Sequence, residues 1–113
     1  MKAGSFNISL AKVVGEEQQW CKVDGYISKN GIWGVDFGSK RKLPMGYEPS
    51  IDRGIWIISH IKSGGKVAYF DTFNQCKLFL DKLNSIGIKT EKELLKRKTE
   101  VRNIIIEMKG NFS

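Results

Sequence analysis

Asn30-Gly31, set between two runs rich in β-branched and aromatic residues, is the feature that most limits how this chain can fold. Both residues tolerate positive φ, so the pair suits a tight type I′ turn bringing residues 20–29 back against 32–37. That turn pairs Ile27 with Gly34 and Tyr26 with Val35. Strand alternation then puts Cys21, Val23, Ile27 and Ile32 on one face. Trp20, Lys22, Tyr26, Trp33, Val35 and Phe37 take the other.

A second hairpin is expected around Ser63-Gly64-Gly65, joining residues 55–61 to 66–70. It sets Ile55, Ile57, Ile61, Ala68 and Phe70 on one side and Trp56, Ile58, His60, Lys62, Val67 and Tyr69 on the other. Phe6, Ile8 and Leu10 alternate with polar or small residues and read as an N-terminal strand, followed by a polar turn over 15–19. The long connection over 38–54 holds both prolines and the cluster Lys40-Arg41-Lys42.

Two helices are expected to close the chain. Thr72 with Gln75 forms a capping box ahead of Phe73, Cys76, Phe79, Leu80, Leu83 and Ile86, and Gly87 follows as a natural stop. Thr90 with Glu93 repeats the box ahead of Leu94, Val101, Ile105 and Met108. Strands first and helices last predict a single α+β domain over 1–113: an antiparallel sheet of about four to five strands packed by two C-terminal helices. If the aliphatic sides of the hairpins join, they form the floor for the first helix. The opposite side then collects the rings, as a platform for a partner or as a second core layer under the second helix or the N-terminal strand.

Nineteen Lys and Arg against twelve Asp and Glu leave +7, which favours an anionic partner. The expected role is a small, non-enzymatic nucleic-acid-binding protein. Lys22, Tyr26, Trp33, Trp56, His60, Lys62 and Tyr69 would bind from the sheet, and Lys40, Arg41 and Lys42 from the loop. The alternatives are an interaction or inhibitor module from a mobile element, using the same face on an acidic protein surface, and a metal-dependent nuclease. The basic residues of the second helix read equally as a solvated face with Glu91, Glu93 and Glu100.

Catalytic signatures are weak. Ser-Gly-Gly-Lys over 63–66 lacks the spacing and strand-to-helix setting of a phosphate-binding loop. His60 has only Ser59 beside it, pointing to the other face. Asp24, Asp36, Glu48 and Asp52 have no spacing that makes them converge. Cys21 and Cys76 lack metal-ligand spacing and read as buried reduced thiols. No cofactor or metal is expected. MKAGSFNISL lacks the apolar stretch of a signal peptide and no run approaches membrane-spanning length, so a cytoplasmic location is expected.

The run from Gly25-Tyr26 through Gly31-Ile32-Trp33 to Gly65-Lys66-Val67-Ala68-Tyr69-Phe70-Asp71-Thr72 resembles the AP2-type DNA-binding domain. The resemblance implies a small antiparallel sheet ending in a threonine-capped packing helix, with the sheet set in a DNA groove. It covers less than half the chain, is interrupted over 38–54, and lacks most of the strand arginines of that family.

Overall fold

The computed structural model describes residues 1–10, 19–43, 54–109 and 111–112. The strands are β1 (Lys2–Ser9), β2 (Trp20–Ile27), β3 (Trp33–Phe37), β4 (Trp56–His60), β5 (Lys66–Phe70) and β6 (Asn111–Phe112). The helices are α1 (Phe73–Ser85), α2 (Glu91–Lys96) and α3 (Lys98–Glu107), with one 3₁₀ turn at Gly38–Lys40. The sheet is an antiparallel meander in chain order, so the architecture is α+β. Residues 15–18 of the turn expected over 15–19, both prolines, Glu48 and Asp52 lie outside the described residues.

The first hairpin keeps the register set by Asn30-Gly31: Tyr26 pairs with Val35 and Ile27 with Gly34. The turn itself is wider than expected. Ser28 and Trp33 flank a loop in which the Gly31 N–H donates to the Ser28 carbonyl, and β3 starts at Trp33 rather than Ile32.

The second hairpin differs in a way that redistributes the faces. Next to the turn Ser59 pairs with Lys66, but a bulge shifts the register between Ile58 and Ser59. Beyond it Ile58 pairs with Ala68 and Trp56 with Phe70. One extra residue moves a strand's remaining side chains to the opposite face. Ala68 and Phe70 therefore join Trp56 and Ile58, and Tyr69 joins Ile57.

The helices pack on this ring-bearing side, which corrects the expected floor. Trp33, Val35, Ile58, Ala68 and Phe70 form one core with Cys76, Phe79 and Leu83 of α1, Leu94 of α2, and Val101 and Ile105 of α3. The Thr72 capping box is present, with Gln75 N–H on Thr72 Oγ1 and Gln75 Oε1 accepting from the Thr72 N–H. Gly87 at φ 83° ends α1, with Ile88 N–H bonded to Leu83 O and Gly87 N–H to Asn84 O.

The expected second helix is broken in two at Arg97, whose backbone leaves helical geometry at ψ 35°. Its guanidinium bonds the Ile86 carbonyl and pairs with Glu100, so the break is held from both sides.

The aliphatic side is buried as well, by the β1–β2 hairpin folded across it. Phe6, Ile8, Leu10, Cys21 and Val23 form a second cluster with Ile27, Leu43 and Ile61 against it. Two glycines permit the fold-over by close approach. A Cβ on Gly34 would lie 2.6 Å from the Phe6 ring, and one on Gly25 would lie 2.1 Å from the Val35 carbonyl oxygen. The Ser9 N–H then donates to Gly64 O at 3.0 Å, tying the end of β1 to the turn after β4.

Gly25→Ala should accordingly lower unfolding stability by about 2 kcal/mol or more, since backbone must move. Gly31→Ala, at φ 76° with open space around it, should cost only about 1 kcal/mol. Urea titration of both variants checks this; equal losses would contradict the fold-over geometry.

Candidate nucleic-acid interface

The described part of the basic loop, residues 38–43, is tied to the sheet at several points. Arg41 donates Nε to Asp36 Oδ2 and Nη2 to Asp36 Oδ1, both at 2.7 Å, and both side chains are almost fully enclosed at 6% and 1% exposure. The Gly38 N–H bonds Ile55 O, the Gly54 N–H bonds Ser39 Oγ, and Cys21 Sγ lies 3.5 Å from Lys42 O. A two-pronged guanidinium–carboxylate bond fixes geometry as well as charge. Arg41 is therefore the loop's anchor, not a surface contact, whereas Lys40 and Lys42 on either side of it are exposed. With Lys22 from β2 they line a depression of about 530 Å³, which Asp24 and Ser39 also border.

The aromatic residues separate by depth. Trp33, expected on the binding face, is 2% exposed and part of the helix-side core. Tyr26 and Trp56 are half-buried and pack on Phe73 of α1, with ring centroids 4.6 and 5.1 Å away. Tyr69 lies on the other side of the sheet, with Lys66 Nζ 5.7 Å from its ring centre. Helix α1 thus occupies the expected platform. The tryptophan left in solvent is Trp20, 49% exposed at the start of β2, a residue whose alternation placed it on the ring face but gave no hint of its separation from Trp33.

Trp20 and Lys62 line an open depression of about 700 Å³ with Ser5 and Asn7 of β1. Lys62, Ile61 and Gly31 also border a neighbouring depression of about 490 Å³, which runs to Lys89 and Lys92 at the start of α2. The two share a wall and form one track.

His60 gains partners that sequence spacing did not reveal. Its ring lies 5.5 Å from that of Trp33, and its Nδ1 sits 2.9 Å from Ser63 Oγ and against Glu91 Oε2. Ser63 Oγ in turn donates to Glu91 Oε2 at 2.7 Å. Three residues of turn bring Ser63 back; Glu91 comes from α2 and carries no local signal. A serine–histidine–acid relay places acid and serine on opposite ring nitrogens. Here both use Nδ1, so the cluster joins the turn to α2 and cannot relay a proton between them.

Both thiols are sequestered. Burial, with the Asp36 charge as a smaller contribution, pushes the Cys76 thiol up to about 12. Cys21 is buried and not in a disulfide. Among the described residues no group of three or more His, Cys, Asp or Glu is placed to hold a metal ion, and no helix is long and apolar enough to cross a membrane. No family model, curated protein or solved structure matches the chain, so the AP2-type likeness rests on residue types alone.

Two outcomes follow from this chemistry. Arg41→Met or Asp36→Leu alone strands a buried charge and should cost about 3 kcal/mol or more, while the double variant should recover most of the loss. A double-mutant cycle by denaturant unfolding reads this, and additive losses would show that the pair is not coupled. For Cys76, a folded-state pKa above the unfolded one means that the thiol favours the native state below pH 9. That contribution disappears as pH rises from about 9 toward 12. Cys76→Ala should flatten the alkaline stability slope, and native protein at pH 8 should leave Cys76 unalkylated by peptide mass spectrometry. Labelling at the denatured rate would contradict its burial.

Proposed function

We propose that the chain is a small, non-enzymatic nucleic-acid-binding protein that holds phosphate backbone without reading base sequence. The observation that carries this reading is the lysine rim formed by Lys22 of β2 with Lys40 and Lys42, which flank the Arg41–Asp36 pair. Lysines displayed from a pre-formed loop lose little backbone freedom on binding, which favours affinity. The net charge of +7 acts in the same direction by drawing polyanions toward the surface. Lysine is a point charge that suits phosphate, and none of the three offers the forked geometry used to read a base edge. A protein partner held by the ring face is less well supported, because its central anchor, Trp33, is in the core.

Affinity for mixed-sequence oligonucleotides should fall steeply with salt as condensed counterions are released. Replacing Lys22, Lys40 and Lys42 by alanine should lower the slope of log affinity against log salt by about 0.7 to 0.9 for each phosphate that is no longer neutralised. Fluorescence anisotropy titrations between low and moderate salt measure it. A flat salt dependence, or a triple variant with the wild-type slope, would remove the proposal.

A further inference from the structure

We infer that the track from Trp20 past Lys62 to Lys89 and Lys92 takes single-stranded nucleic acid, with the Trp20 indole stacked on one base. This rests on the nucleic-acid reading above and adds the class of strand and a second binding region. The indole is positioned rather than loose. Gly64, at φ 72°, has Trp20 Cζ3 2.5 Å from where a Cβ would stand, so one ring edge is seated on bare backbone. The Ser9–Gly64 bond ties that backbone to β1, and Trp20 stays about half exposed.

An exposed ring presents a π-face that any base can cover, and base–aromatic stacking is a sequence-tolerant source of affinity. In a duplex the base faces are already stacked on their neighbours. Away from its ends a duplex has none to offer, whereas an unpaired strand has one at each base.

The rest of the track has the chemistry of a strand's other side. Lys62 lies in the same depression as Trp20, and Lys89 and Lys92 lie further along it. Ser5 and Asn7 supply polar side chains beside the ring. Among the described residues the carboxylate that lines the track is Glu91, and it is already engaged by Ser63 and His60, which reduces its opposition to a phosphate chain. Lys22, two residues from Trp20 on the same side of β2, links the track to the loop rim.

The test compares a labelled oligothymidylate of about twelve nucleotides with its blunt duplex, by anisotropy at one moderate salt concentration. Wild type should prefer the single strand. Trp20→Ala should weaken single-strand binding about tenfold and leave duplex binding within about twofold, while Trp20→Phe keeps most of the preference. Circular dichroism melting confirms that each variant is folded. Equal loss on both ligands, no loss on either, or no wild-type preference would overturn the inference. In those cases, duplex binding that still falls in the Lys22, Lys40 and Lys42 variant leaves the broader reading standing. A wild-type protein that binds neither ligand overturns both.

Discussion

A sheet apolar on both sides must be covered on both sides, and this constraint governs the molecule. Helices α1 to α3 cover the side of Trp33, Val35 and Phe70, and the β1–β2 hairpin covers the side of Ile57. The second cover depends on Phe6 lying flat against Gly34, where any side chain would stop it. With both faces sealed, polar and charged chemistry is left to the rims: the turn after β4, the loop after β3 and the outer side of β2. The sites proposed above are all rim sites for that reason.

Much of the fold could be read directly from residues. The strand alternations, the register around Asn30-Gly31, the Thr72 capping box and the Gly87 stop all depend on local chemistry, and local chemistry is what spacing reports. The assignment of faces was not legible beyond the second turn. It hinges on one bulged residue in β5, and nothing in Lys66-Val67-Ala68 marks where a ladder will slip. The break at Arg97 was equally hidden, since its stabilising acceptor, Ile86 O, lies eleven residues away, just past the end of another helix. In consequence the rings expected as a platform became the helix floor, and Trp20, which shares their period, was separated from them only by the fold-over of its hairpin.

The two kinds of cation in the basic loop illustrate a division that composition alone does not show. Arg41 and its neighbours look alike as a run of three positive charges. A buried carboxylate selects the planar, forked guanidinium, whose weak hydration suits an enclosed ion pair. The strongly hydrated ammonium groups stay outside. The loop's shape and its charge display are thus supplied by different residues, and removing one need not remove the other. The turn at His60 follows the same logic: three polar groups that could suggest catalysis spend their hydrogen bonds on holding α2 in place.

The bond between Ser9 and Gly64 also joins segments that lie far apart along the chain. When the first hairpin leaves the ribosome, its greasy underside of Phe6, Ile8, Cys21 and Val23 has nowhere to dock, because β3 through β5 do not yet exist. Closure must wait for a stretch of chain made much later, and such non-local steps are slow and leave sticky intermediates. The cover over the apolar underside of the first hairpin is thus a non-local contact, the kind that general folding physics makes slow to form.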